Sequence, residues 1–247
     1  MSNLMMHCGG SVVTRDEVKA VTTPPHTKTH FPMPHGEVLD IVQDSLGKFG
    51  FEIKSERHGL SATQDSYFGV LDLSHPTSSS EEYTWAVGIR NSHDKTLSAG
   101  MVAGSRVFVC DNLAFSGEVK VFRKHTRHVE KDFIDMVGDS MVPIYNEFIT
   151  IDKRAASYKD VEVQDNQAHD IIIRAYDEGA IGSRDIPNVL KEWREPEFED
   201  FQERDLWSLY NAFTFTHLKL GDPRLLIKRQ TALNRVCDVE SGLVLPA

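Results

Sequence analysis

The stretch from residue 51 to residue 124 constrains the fold more than any other part of the chain. Five segments in it (FEIKSERHG, SYFGVLDLSH, YTWAVGIRNSH, LSAGMVAGSRVFVCDN and GEVKVFRK) are rich in β-branched and aromatic residues. That composition fits a pleated, half-buried surface. Turn-forming clusters separate the segments, at residues 75–80, at Asn91-Ser92-His93-Asp94 and at Asp111-Asn112. A parallel crossover needs a dozen or more residues, and these connections are too short for one. The segments therefore predict an antiparallel meander of about five strands.

Helical spacing brackets this block on both sides. Before it, Val38, Leu39, Ile41, Val42, Leu46 and Phe49 recur at the period of one helix face, and Gly47 and Gly50 mark its end. After it, Val129, Phe133, Met136, Val137, Met141, Ile144 and Phe148 form one broad apolar stripe that Pro143 should bend or interrupt. Two shorter helices are predicted over 165–178 and 186–193. Two more follow over 205–220 and 222–238, with Asp222 as N-cap and Pro223 as first helical residue of the second. Strands followed by helices predict an α+β fold, an antiparallel sheet covered by helices with a C-terminal helical extension. The organisation expected is a Pro-rich arm over 1–34, a core over 35–160 and the helical extension over 161–247.

Composition narrows the function classes. No run approaches the roughly 20 apolar residues of a membrane-spanning helix, and the N-terminus lacks the basic start and apolar run of a secretory signal. Three separated cysteines (Cys8, Cys110, Cys237) fit free thiols in a reducing compartment, and a cytoplasmic location is expected. The net charge of −10 argues against bulk electrostatic coating of duplex DNA, while leaving room for a local basic face.

Two segments are more specific than this outline. One carries Asn91-Ser92-His93-Asp94, Arg106-Val107-Phe108-Val109-Cys110 and Asn112; the other is Leu206-Trp207-Ser208-Leu209-Tyr210-Asn211-Ala212-Phe213-Thr214. Together they resemble the phage/plasmid-like protein family, a domain-of-unknown-function family of bacteriophages and mobile elements. In that family a strand leads to an Asn-Ser-His-Asp turn, a second strand ends in an Arg…Cys-x-Asn element, and a Trp…Asn-Ala-x-Thr helix follows. The resemblance runs from about His35 to His217 and implies a mobile-element context, in a host bacterial cytoplasm for a phage-encoded chain. It implies no reaction.

Each constellation has a structural and a functional reading. Asn91, Ser92, His93 and Asp94 suit a hairpin turn, since Asn and Asp tolerate left-handed geometry. As an acid/base or metal pair, His93 and Asp94 are weakened by pointing oppositely on an extended chain. Cys110 reads as a small buried hydrophobe or as a nucleophile needing a nearby base. Without Cys-x-x-Cys or His-x-x-x-His spacing, no metal or other cofactor is expected. Trp207, Asn211 and Thr214 read as helix packing. Arg123, Lys124, Arg127 and Lys131 form the concentrated basic run, which reads either as a solvated helix start or, joined by Arg90 and Arg106 from the sheet, as a phosphate-contacting patch. A second basic face comes from Lys219, Arg224, Lys228, Arg229 and Arg235, and Phe108, Phe115 and Phe122 are candidates for base stacking. The leading expectation is a non-enzymatic phage or plasmid accessory protein that binds nucleic acid, single strands being one candidate form, in replication, recombination or host takeover. The rivals are an enzyme built on His93, Asp94, Cys110 and Asn112, and a module that binds a host protein; a homo-oligomer is a further expectation.

Overall fold

The computed structural model describes residues 10–77, 80, 82–107, 113–217 and 223–243, with backbone alone at 107, 113–118, 223 and 224. Among the described residues six strands form one antiparallel sheet, in sequence order from edge to edge. They are β1 (Gly10–Val13), β2 (Glu52–Ser61), β3 (Ser66–Ser74), β4 (Tyr83–Ser92), β5 (Ala99–Val107) and β6 (Leu113–Arg123). The five segments of alternating sequence supply β2 to β6. The additional strand comes from the N-terminal arm, where Gly10–Val13 pairs with β2 from Gly10↔Ser61 to Val13↔His58. Four residues are too few to carry a legible alternation.

Alternation sorts each strand onto two faces. Tyr67, Leu71 and Leu73 of β3, Trp85, Val87 and Ile89 of β4, and Met101 and Ala103 of β5 belong to one large buried cluster. Helices α1 (Arg15–Ala20), α2 (His35–Lys48), α3 (Val129–Asp139) and α4 (Met141–Lys159) add Val18, Val38, Leu39, Val42, Phe133, Val137, Ile144 and Phe148 to it. Trp85 stacks on Phe148 with ring centroids 4.9 Å apart, and its Nε1 donates to Asp152 Oδ1 at 2.9 Å. Such an aromatic pair adds ~1 kcal/mol beyond its buried area. The predicted long helix over this region is two helices. The break falls at Ser140, three residues before Pro143, which sits in the first turn of α4 where its missing N–H costs no hydrogen bond.

Helices α5 (Asp165–Asp177), α6 (Ile186–Arg194), α7 (Leu206–His217) and α8 (Pro223–Ser241) complete the chain, with one 3-10 turn at Glu199–Phe201. Helix α7 carries no Asp, Glu, Lys or Arg and is buried at every position but Phe215. Pro223 opens α8 as its first residue; Asp222 lies outside the described residues. Helix α8 packs on β6. Its Leu233, Val236 and Cys237 join the large core, while Leu226 crosses to the opposite sheet face and closes a small cluster with Val70, Ala86 and Val102.

A polar tether fixes the position of α8. Arg154 of α4, buried to 5% exposure, donates from Nε to Asp238 Oδ1 at 3.0 Å and from Nη2 to Asp238 Oδ2 at 2.9 Å. The Tyr158 hydroxyl donates to the same carboxylate at 2.6 Å, and the Tyr210 hydroxyl of α7 donates to Asn234 Oδ1 at 3.0 Å. Charge-assisted hydrogen bonds of this kind are the strong ones, and they hold α8 against α4 and α7 in one geometry.

Candidate functional site

The sheet face opposite the large core carries Arg57, Asp72, Arg90, Arg106 and Lys120. In its middle lies Asp72, 2% exposed. Arg106 reaches it across β4, donating from Nε to both carboxylate oxygens at 3.0 Å and from Nη2 to Oδ2 at 2.7 Å. Arg57 Nη2 lies 3.4 Å from Oδ1, and the Ser55 hydroxyl donates to Oδ2. The crossing is possible because Asp72 pairs in register with Ala86, and Ala86 with Gly104, so small residues lie beneath the guanidinium. Arg106 is therefore spent inside the fold. So is Arg123, whose Nε and Nη2 both bond Asp132 Oδ2, at 2.9 and 2.5 Å.

Arg90 donates from Nη2 to Ser98 Oγ at 3.2 Å. It pairs in register with Gly100, and Gly100 with Phe122, so the three form one row across β4, β5 and β6. With no side chain at the middle position, the Arg90 guanidinium lies over the Phe122 ring, 4.0 Å from its centroid. A Cβ at Gly100 would meet Phe122 Cδ1 at 2.2 Å and the Val121 carbonyl oxygen at 2.9 Å. Facing this row, Ile227, Lys228, Thr231, Ala232 and Arg235 of α8 form a stripe at helical spacing. Together with Lys120 they enclose a groove of about 510 Å³, in which Glu178 is the only carboxylate among the described lining residues. Lys120, Lys228 and Arg235 are exposed and make no ion pair with the described residues.

Arg90 also lines a second cleft, of about 490 Å³, on the β4–β5 hairpin side. Its walls are Thr29 and His30 of the arm, Lys95 to Ser98 of the hairpin, and Lys124 to Thr126 beyond β6. Lys95 sits at φ 72°, a conformation uncommon for a residue with a Cβ. Of the predicted basic run, Lys124 reaches this cleft. Arg127 and Lys131 are exposed at the start of α3 and line neither cavity. Of the predicted second face, Lys228 and Arg235 enter the groove, whereas Arg229 is paired with Asp185 at 2.7 Å. Lys219, Phe108 and the side chains of Arg224 and Phe115 lie outside the described residues. Lys95 and Lys120 were not singled out by sequence, being isolated lysines on a hairpin and a strand.

The Asn-Ser-His-Asp turn is built into the fold. Asn91 Nδ2 donates to the Met33 carbonyl at 2.8 Å and to His35 Nδ1 at 2.9 Å, while His35 Nε2 donates to the Gln64 carbonyl at 3.0 Å. Those partners fix His35 as the neutral Nε2–H tautomer. Burial holds its pKa at about 4, and His125 is likewise held at about 4. His93 stacks on His35 with centroids 3.9 Å apart and donates from Nε2 to Met33 O at 3.0 Å; burial lowers its pKa too. His30 donates from Nε2 to the His93 carbonyl at 2.9 Å and meets His125 edge-on. This histidine cluster ties the Pro-rich arm to the end of β4. Ser92 Oγ closes the hairpin by donating to Leu97 O at 3.0 Å and accepting from Leu97 N at 2.9 Å. Asp94 is exposed and accepts from Thr96 N and Oγ1 at 3.0 and 2.5 Å. His93 thus turns inward and Asp94 outward, so the two do not converge. Among the described residues no three His, Cys, Asp or Glu side chains gather as a metal-binding group. Cys110 and Asn112 lie outside the described residues.

The second motif is interior. Trp207 stacks on Tyr210 at 5.7 Å, Asn211 Nδ2 donates to the Trp207 carbonyl at 2.9 Å, and the Thr214 hydroxyl donates to the Asn211 carbonyl at 3.1 Å. All three motif residues are at most 6% exposed, and their place is in the packing of α7.

Residues 27–235 match the model of a family described as a domain of unknown function (DUF932). The chain belongs to this family. Every residue lining the groove or the cleft falls within the DUF932 match. No curated protein and no solved structure matches the chain. Among the described residues, no helix of this DUF932 member is long and apolar enough to cross a membrane.

Proposed function

We propose that this DUF932 protein is a non-enzymatic accessory protein of a phage or plasmid that binds single-stranded nucleic acid along the groove between the sheet and α8. The observation that carries this reading is the groove itself: Arg90, Lys120, Lys228 and Arg235 line one cavity together with Phe122, in a chain of net charge −10. Cations following a backbone beside an aromatic ring are the two ingredients of sequence-tolerant single-strand binding. The motif resemblance supports the mobile-element context.

Counterion release supplies the test. Four groove cations each neutralising one phosphate give a slope of log K against log salt near −3, on the basis of about −0.7 per contact for single strands. Affinity for a labelled oligothymidylate is then expected to fall roughly 50-fold between 50 and 200 mM salt. The K120S/K228S/R235S variant should lose about 2 from that slope, while R123Q, whose arginine is already occupied by Asp132, should leave it unchanged. Absence of binding to every single-stranded DNA and RNA tried, or binding indifferent to salt, would refute the proposal.

A further inference from the structure

The cleft beside the groove differs from it in kind. Arg90, Lys95 and Lys124 arrive from three separate segments, and Thr29, Thr96, Ser98 and Thr126 add hydroxyls. The described lining residues include no carboxylate; Asp94, beside Lys95, has its carboxylate on Thr96. The groove, by contrast, has Glu178 among its described lining residues. The volume lies within the range of roughly 300–1,000 Å³ typical of small-ligand sites.

The wall behind these cations is neutral and packed. His125 is 6% exposed, both its ring nitrogens are enclosed, and its ring meets His30 edge-on.

We propose that this cleft is a binding site for a phosphate monoester, supplied by the terminal phosphate of a strand lying in the adjoining groove. A monoester carries about −1.5 to −2 charges at neutral pH and three strong acceptor oxygens, matching the cleft's cations and the hydroxyls of Thr29, Ser98 and Thr126 better than a singly charged diester does. Arg90, common to both cavities, makes the junction: a strand stacked near Phe122 runs past it and ends among Lys95, Lys124 and Thr126. The strand-end source rests on the groove reading; the monoester chemistry does not, because a free mononucleotide presents the same group.

The test is fluorescence anisotropy with one oligothymidylate bearing a 5′-phosphate, a 3′-phosphate or hydroxyls at both ends, alongside calorimetry with adenosine monophosphate. One phosphorylated form is expected to bind about tenfold or more tightly than the hydroxyl form, the increment that charge-assisted hydrogen bonds supply. The K95S/K124S variant should erase that ratio, and K120S/K228S/R235S should weaken all three oligonucleotides while preserving it. Binding of the mononucleotide that K95S/K124S abolishes, with no oligonucleotide bound, would uphold the monoester site and remove the groove reading. Equal affinity for phosphorylated and hydroxyl oligonucleotides, with no mononucleotide binding, would overturn the proposal.

Discussion

Replacing Asp72 by alanine should destabilise the protein through Arg106 and Arg57, the two guanidinium groups it leaves behind. The Asp72 carboxylate is 3% exposed, the Arg106 side chain 13% and Arg57 23%. Removing one partner of a buried ion pair costs roughly 3–5 kcal/mol, most of it from the stranded charge. The two arginines retain some access to water and each has a further interaction besides Asp72, which places the expectation at the lower end, about 3 kcal/mol. For a chain of this size that is a fall in Tm of about 6–12 °C. The assay is urea unfolding at pH 7, followed by circular dichroism and tryptophan fluorescence, for D72A, R106A, the double alanine variant and D72L/R106M. A coupling energy of about 2 kcal/mol is expected in the alanine cycle. The apolar pair should recover most of the loss, because it strands no charge. A D72A variant within about 0.5 kcal/mol of the parent, or alanine effects that simply add, would refute the assignment of Arg106 to the fold.

Two further perturbations follow from the geometry. G100A places a Cβ 2.2 Å from Phe122 Cδ1 and 2.9 Å from a backbone oxygen, so it should cost about 1–3 kcal/mol by overpacking and also weaken oligonucleotide binding by displacing Phe122 from beneath Arg90; parental stability and affinity would contradict the stacked row. His35, His125 and His217 are neutral in the folded chain, each held at about 4 against an ordinary value of 6.5, with burial as the largest cause. Between those values the unfolded chain binds more protons than the folded one, so stability rises with pH across the window and is lost as pH falls from 6.5 towards 4. The expected slope is up to roughly 1.4 kcal/mol per pH unit for each histidine. Urea midpoints at pH 7 and pH 5 check this, and a flat profile would show that the rings are not buried as neutral groups.

How much of this was legible in the sequence depends on whether local period or distant contact decides the matter. Alternation and helical spacing are local, and they located β2 to β6 and the helices bracketing them. The strand Gly10–Val13 was missed because its place is set by pairing with β2. The basic run shows the same limit more sharply. Phe122, Arg123 and Lys124 are consecutive, yet Phe122 faces the groove, Arg123 binds Asp132 on α3, and Lys124 lines the cleft. Strand parity puts Lys120 and Phe122 on one face. Parity cannot say that Gly100 lies between Arg90 and Phe122, nor that Lys228 and Arg235 arrive opposite them. That juxtaposition depends on α8 docking, which is decided by Arg154 and Tyr158 on Asp238, a contact more than 75 residues long in sequence.

The origin of the groove also bears on its proposed role. One wall is sheet and the other is α8, and both are anchored in the interior, by Leu226 on one side and by the Arg154–Asp238 tether on the other. Its cations are therefore held near one another before any ligand arrives, which lowers the ordering cost that flexible basic tails incur on binding. The acidic remainder acts in the same direction. Charges beyond about 8 Å are largely screened at physiological salt, so distant carboxylates barely weaken attraction inside the groove, while locally they disfavour a polyanion on any other face. On the proposed reading, net acidity and local basicity together would confine a strand to one track. On this argument, charge changes away from the groove and cleft leave the salt slope of binding untouched, and only those within them reduce it.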